Sequence, residues 1–239
     1  MDSIRIDDLQ CRGLKLKQDR NLFCFGTDAV LLYHFADFAG CSKVADFGCA
    51  SGIISVLAAG NHPGTEVYGV EIQDALYDLA EQNRQLNGLE NLHFVHGDIK
   101  DAKSSVGLCD AVLCNPPYEK TGSGILPKNE CHRIARYECL ITFDETAQAA
   151  SSVLEDGGKF YFIHRSYRFD ELCETLRRHS LGVKTVRFVH PYAESKSELV
   201  LVSAVKGARY GISVLAPLVI HNADGSYTSE VKEMYGSEK

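Results

Sequence analysis

Val44-Ala45-Asp46-Phe47-Gly48-Cys49-Ala50-Ser51-Gly52 is the stretch that decides how this chain folds. A short strand, Val44 to Asp46, runs into a glycine turn, and the small apolar run Ile53 to Ala59 follows it. Glycines at a strand-to-helix turn let a ligand approach the backbone, and the start of the next helix offers N–H groups with no partner of their own. A second strand, Glu66 to Val70, ends in Glu71, 19 residues beyond Gly52. In a doubly wound α/β sheet that is the place of a carboxylate gripping a ribose diol. The spacing is not that of a dinucleotide site. With Gly48 as the first glycine of G-x-G-x-x-G, Ala50 and Ile53 stand at the other two positions. Asp46 would repel a pyrophosphate but suits a cationic ligand, such as a sulfonium bearing an α-ammonium.

Outward from this turn, strand-like and helix-like segments alternate from Lys43 to about Val205. Asp74 to Leu86 is amphipathic, with Leu76, Leu79, Ala80, Asn83 and Leu86 on one side and Asn87-Gly88 as a helix stop. Leu92 to Val95 and Asp110 to Cys114 are the third and fourth strands. Thr142-Phe143-Asp144-Glu145 reads as a capping box for a helix to about Leu154. Lys159 to His164 is a fifth strand, Phe169 to His179 a helix, Lys184 to Val189 a sixth strand and Leu199 to Val205 a seventh. The expected fold is α/β: a mostly parallel, seven-stranded, doubly wound sheet covered on both faces. Residues 1–40 are expected to form an extension packed on this core, a small β element within Ile4 to Phe25 and a helix over Ala29 to Phe38 capped by Thr27-Asp28. Residues 41–239 form the main domain. Ile212 to Ile220 is a further strand candidate, and the turn Asn222-Ala223-Asp224-Gly225 leads into a polar tail.

The fourth strand runs directly into Asn115-Pro116-Pro117-Tyr118. Proline has no N–H for the ladder and fixes its own φ, so the pair ends the strand with its carbonyls pointing forward. An amide side chain, rigid acceptor carbonyls and an aromatic face in one loop form a receptor for a planar –NH2 group. The Asn115 oxygen and the Pro116 carbonyl accept its two hydrogens, and the Tyr118 ring stacks on the plane that carries it. Only the ring face is used, so the hydroxyl is expected to be dispensable. Gly97-Asp98-Ile99 follows the third strand, where an Asp can accept from an adenine amino group and Ile99 can lie against the ring.

The bulk properties bound the partners. Among 239 residues, 45% are hydrophobic and 24% charged, the balance of an ordinary globular protein. The net charge is −7 and the pI near 5.7, which argues against promiscuous nucleic-acid binding but leaves room for a local basic face. Lys128, His132, Arg133 and Arg136 cluster after the proline loop, and Arg165, Arg168, Arg177 and Arg178 form a second group. No signal peptide and no membrane span is expected. Nine cysteines without a C-x-x-C pair fit neither a disulfide framework nor a zinc site, and point to a reducing cytoplasm and no metal. No oligomer is implied.

Together the Asp46 to Gly52 turn, Glu71, Asp98 and the Asn-Pro-Pro-Tyr loop resemble the class I S-adenosylmethionine-dependent methyltransferases, a Rossmann-like superfamily. Members with Asn-Pro-Pro-Tyr methylate planar nitrogens of adenines or glutamine amides. The departure is Ala50, where most members carry Gly. Over nearly the whole chain the sequence is similar to the bacterial tRNA(Val) (adenine-37-N(6))-methyltransferases. The blocks Ile4 to Leu9, Phe25 to Leu32, Gly122-Ser123-Gly124, Ile134 to Glu138, Val189-His190-Pro191 and Tyr227 to Glu230 carry that similarity. The resemblance implies S-adenosyl-L-methionine as cofactor, held by Thr27, Asp28, Asp46, Gly48, Cys49, Gly52, Glu71, Ile72, Asp98, Ile99 and Asn115. It implies Asn115, Pro116, Pro117 and Tyr118 as the catalytic loop, and a tRNA substrate reached through Lys128, Arg133 and Arg136. His190 has no part in this chemistry. The alternatives are a glutamine-amide methyltransferase acting on a translation protein, whose relatives carry an N-terminal helical domain that residues 1–40 leave no room for, and a non-catalytic RNA-binding member of the fold.

Overall fold

The structure is a computed structural model that describes residues 3–119 and 140–236. Two strands, β1 (Ile4–Asp8) and β2 (Lys15–Asp19), pair antiparallel as a hairpin, and α1 (Thr27–Phe35) follows. Then come β3 (Lys43–Phe47), α2 (Ile53–Asn61), β4 (Glu66–Glu71), α3 (Asp74–Asn87), β5 (Leu92–His96), the short α4 (Ala102–Ser105) and β6 (Cys109–Cys114). Beyond the proline loop lie α5 (Phe143–Val153), β7 (Leu154–Arg165), α6 (Phe169–Arg178), β8 (Leu181–Tyr192) and β9 (Leu199–Lys206). Two short strands, β10 (Ser213–Val214) and β11 (Leu218–His221), and α7 (Ser229–Met234) complete the order.

The sheet runs β8-β9-β7-β6-β3-β4-β5, and β10 and β11 both lie parallel to β8 on its outer edge. All other pairings are parallel except those of β9, which is antiparallel to β7 and β8. The seven strands expected from the sequence are its body, and the Ile212 to Ile220 candidate resolves into β10 and β11. From β3 the chain winds outward through β4 to β5, then returns to β6 on the other side of β3. Loops leaving adjacent strands therefore diverge at the β3/β6 junction and open a crevice at their carboxyl ends.

Two buried layers hold the sheet. One face packs Val44, Leu113, Ile163 and Leu201 against α1 and α2; the other packs Phe47, Val112, Phe160 and Phe162 against α5 and α6. The strands are apolar on both faces because both are covered. Gly52 (φ +85°) and Gly69 make room for Phe94, since a Cβ on either would lie 2.7 or 2.5 Å from its ring.

The hairpin joins the same core through Leu14 and Leu16. Its outer partner is α3, where Asn83 and Asn87, one helical turn apart, act as substitute peptides. Asn83 Oδ1 accepts from Lys17 N–H at 2.6 Å and its Nδ2 donates back to the Lys17 carbonyl at 3.0 Å. Asn87 does the same with Lys15, both at 2.8 Å. Asn83 thus belongs to the buried face of α3 as a polar splice, whereas Leu86, expected on that face, is 43% exposed. At α1 the N-cap is Gly26, without a side-chain cap, so Thr27 and Asp28 sit inside the first turn, and the helix stops at Phe35. The capping box at Thr142 and Glu145 is formed. The tail is not merely polar: α7 buries Val231 completely, and the Met234 carbonyl lies 2.8 Å from His34 Nε2 on α1.

Candidate active site

A cavity of about 480 Å³ opens at the carboxyl ends of the strands. Each strand of the parallel half delivers its chemistry there at or just beyond its carboxyl end. Gly48 and Ala50 follow β3, Glu71 ends β4 and Ile72 follows it, Asp98 and Ile99 follow β5, and Asn115 to Tyr118 follow β6. Thr27 and Asp28 close it from α1. Of the residues expected to hold a cofactor, Asp46, Cys49 and Gly52 do not line the cavity.

Glu71 is 4% exposed, and both of its oxygens are held by backbone. Oε2 accepts from Ala50 N–H and Oε1 from Gln73 N–H, each at 2.9 Å. Burial pushes this carboxyl upward, and the N–H groups of Gln73, Ala50 and Ile72 pull it back toward the charged form. Glu71 also lines the cavity, where a carboxylate can accept from the two hydroxyls of a ribose diol. Ala50 takes φ +50°, which glycine adopts freely and alanine does not, and in this conformation its N–H meets Glu71. Asp98 lies at the cavity wall with Oδ1 on the Lys100 N–H at 2.9 Å and Oδ2 3.1 Å from the Lys100 ammonium.

Asp46 departs from expectation. It is 2% exposed, and its Oδ2 accepts from the hydroxyl of Ser55 at 2.6 Å and its N–H at 3.1 Å. Burial raises its carboxyl from 3.8 to about 7. The carboxylate ties β3 to α2 beneath the turn, because a side chain still inside a covered strand points into a layer and not off the strand end. Gly52 also serves packing: it starts α2 and admits Phe94. Cys49 is buried, with its thiol held well above the ordinary range.

The proline loop is clamped from behind. Arg168 is 5% exposed; its Nη1 donates to the Tyr118 carbonyl at 3.0 Å and its Nη2 pairs with Glu171 at 2.9 Å. His164 packs against the Tyr118 ring at 5.4 Å and accepts the Arg165 N–H on Nδ1 at 2.8 Å. Burial, then the charge of Arg168, lowers it to about 3, so it stays neutral beside the loop. The Arg165 guanidinium stands 5.3 Å over the Tyr118 ring at the cavity rim.

The Tyr118 hydroxyl is not idle. It lies 2.7 Å from Asp28 Oδ2 and 2.7 Å from Asn115 Oδ1. This contact spans 90 residues of sequence, and no local pattern announces it. Phe23, Cys24, Gln73, Leu140, Thr146 and Arg165 also line the cavity. Phe23, Cys24, Leu140 and Thr146 are ordinary residue types with no sequence signal, brought in by topology, whereas Arg165 comes from the second arginine group and Gln73 adjoins Glu71 and Ile72.

The second arginine group does not form one patch. Arg168 is buried, Arg178 pairs with Asp144 at 3.1 Å, and Arg177 lies over the Tyr210 ring. Lys128, His132, Arg133 and Arg136, like Gly122 to Gly124 and Ile134 to Glu138, lie outside the described residues. His190 Nδ1 is 2.8 Å from the Ser195 carbonyl and holds the β8–β9 connection. Among the described residues no group could hold a metal ion, and no helix is long and apolar enough to cross a membrane.

Residues 15–188 match the family model of the methyltransferase small domain. The chain is 27% identical over 201 residues to a tRNA1(Val) (adenine(37)-N6)-methyltransferase of Aliivibrio salmonicida, covering 83% of each. It is 26% identical over 211 residues to the protein of that name from Proteus mirabilis, covering 86% of this chain and 82% of the other. Among solved structures, one described as a predicted O-methyltransferase from Agrobacterium tumefaciens superposes with a TM-score of 0.70 at 23% identity. That match covers 88% of this chain and 96% of the other, a likeness of fold.

Proposed function

The chain belongs to the methyltransferase small-domain family, and from that premise we propose that it moves a methyl group from S-adenosyl-L-methionine to the exocyclic amine of an adenine in tRNA. The observation that carries this is the convergence of Glu71, Asp98 and the Asn115 to Tyr118 loop on one cavity. The names borne by its relatives further support adenine 37 of a valine tRNA as the target.

Glu71, at the cavity wall at the end of β4, is the proposed holder of the ribose diol. Ile72, Ile99 and Asp98 border the proposed adenine pocket, and the Gly48 to Ala50 turn the amino-acid end. When bound, S-adenosylmethionine supplies a methyl group on a sulfonium, whose carbon–sulfur electron pair returns to sulfur as the methyl leaves. The acceptor amine is a poor nucleophile because its lone pair is delocalised into the ring. Asn115 and the Pro116 carbonyl accept its two hydrogens and draw the nitrogen toward tetrahedral geometry, which frees the lone pair to form the new bond. The nitrogen then sheds one hydrogen to water. This is catalysis by positioning and preorganised acceptors, and no strong base is required. Tyr118 and Arg165 offer an aromatic and a guanidinium face to a base turned out of its stack.

The test is transfer of labelled methyl into total tRNA and, separately, into a release factor, with the modified nucleoside then identified. N6-methyladenosine in tRNA is the expected product; label in the release factor alone overturns the reading in favour of a glutamine amide. Asn115→Ala should lower kcat by on the order of a hundredfold to a thousandfold with little change in ligand affinity. Lys128, Arg133 and Arg136 are proposed to contact RNA phosphates. Their removal should flatten the salt dependence of tRNA binding, and an unchanged slope places the RNA elsewhere.

A further inference from the structure

Three side chains, two from the proline loop and one from the start of α1, meet at the acceptor end of the cavity. The Tyr118 hydroxyl oxygen is 2.7 Å from a carboxylate oxygen of Asp28 and 2.7 Å from the amide oxygen of Asn115. A phenol carries one hydrogen, while a carboxylate and an amide oxygen carry none. One of the two contacts would therefore press two bare oxygens together. Burial, followed by the charge of Asp28, holds the Tyr118 hydroxyl well above its ordinary range, so its hydrogen stays in place. Between the two acceptors the charged one is stronger, and the hydrogen goes to Asp28. The other contact becomes a hydrogen bond when Asn115 presents its NH2 to the tyrosine oxygen, an orientation with the same heavy-atom shape. The opposite end of that amide makes no hydrogen bond among the described residues, and Asn115 lines the cavity.

We propose that Asp28, acting through Tyr118, aims the Asn115 amide. The carboxylate takes the tyrosine hydrogen, the tyrosine oxygen takes an Asn115 N–H, and the amide oxygen is thereby turned to the acceptor amine. Asp28 is then a positioning residue for methyl transfer and not a holder of the cofactor, and the tyrosine hydroxyl is part of the device. Arg168 holds the Tyr118 carbonyl, and the ring packs against His164 at 5.4 Å and under the Arg165 guanidinium at 5.3 Å, contacts that hold the hydroxyl between the two acceptors. This rests on the reading of Asn115 as receptor for a planar amine.

The decisive experiment compares Asp28→Asn, Tyr118→Phe and the double variant in single-turnover methyl transfer to a tRNA transcript, with cofactor affinity measured by calorimetry. Asp28→Asn keeps the shape and the acceptor that Ala29 N–H uses, so the start of α1 is preserved. Each single variant should slow transfer roughly tenfold, and the double should be no slower than the slower single, because both act on one orientation. S-adenosylmethionine affinity should stay within about twofold of wild type. Multiplying effects, to roughly a hundredfold, overturn the proposal. So does a loss of cofactor affinity that matches the loss of rate. A second readout needs no turnover: the Asn115 side-chain NH2 signals of isotope-labelled protein, identified by their absence in Asn115→Ala. They should be protected from exchange and should shift in both Asp28→Asn and Tyr118→Phe; unshifted signals overturn the proposal. Should the wild type leave tRNA unmethylated, the function proposed above fails, while these signals still decide the amide's orientation.

Discussion

Glu71 shows how one buried carboxylate can serve both fold and ligand. Its two oxygens orient the backbone of Ala50 and Gln73, and the same side chain lines the cavity. Bonds from hydroxyls to a charged group are worth roughly 1.5–3 kcal/mol. Glu71→Ala should therefore weaken S-adenosylmethionine binding by about tenfold to a hundredfold, measured by calorimetry on protein whose melting curve confirms folding. Unchanged affinity would remove Glu71 from the ribose. Asp46, two turns of logic away in the sequence, illustrates the opposite outcome. It has the charge for a cationic ligand, but its partner is Ser55. The difference is position: Glu71 ends its strand, and Asp46 sits one residue short of the end of β3 in a covered sheet.

At the scale of elements, the β3–α2 turn carries a cost that its sequence records. Ala50 occupies a left-handed conformation (φ +50°) at the place where the superfamily it resembles carries glycine. For an L-residue that conformation costs roughly 1–2 kcal/mol. Ala50→Gly should recover part of it, raising the unfolding free energy measured in denaturant by a few tenths to about 1 kcal/mol, since the extra freedom of glycine when unfolded offsets the rest. A large destabilisation would mean that the alanine methyl packs usefully, contrary to its place on the cavity wall. The strands and helices themselves were legible because periodicity and caps are local: the seven central strands, the box at Thr142 and the Gly88 stop are where pattern and turn chemistry put them. That the proline loop and Glu71 would line one cavity was legible for a related reason, as strand-end residues of a fold whose ligand edge is known in advance. What could not be read was contact between distant segments. The Asn83 and Asn87 splice to β2, the Arg168 clamp and the Asp28–Tyr118 bond each join residues tens of positions apart through side chains with no periodic signature. The end of α1 at Phe35 and the docked α7 were missed because tertiary packing, not propensity, sets them.

For the whole molecule, buried ionisable groups link stability to pH, and Asp46 gives the clearest case. Its carboxyl moves from 3.8 to about 7 on folding, chiefly through burial, with the charge of Glu71 adding to the rise. The folded protein therefore holds a proton that the unfolded chain releases between those limits. Its contribution to stability is full below about pH 4 and is lost as pH rises to about 7, on the order of a few kcal/mol. His164 works in the other direction. Its ring falls to about 3 on folding, so the unfolded chain takes up the proton first and stability is lost as pH drops below about 6.5. The two slopes partly cancel in the wild type, which is why a single variant is the right probe. Asp46→Asn keeps an acceptor for Ser55 and has no charge to bury. Near pH 4 it should melt close to the wild type, and by about pH 8 it should melt several degrees higher, since on the order of 1 kcal/mol shifts the midpoint of a domain this size by about 2–4 °C. The gap should open across the interval in which Asp46 ionises. Thermal melts at matched ionic strength measure it directly. A gap that stays constant from acid to alkaline pH would mean that Asp46 is already ionised in the fold, with Ser55 compensating its burial in full.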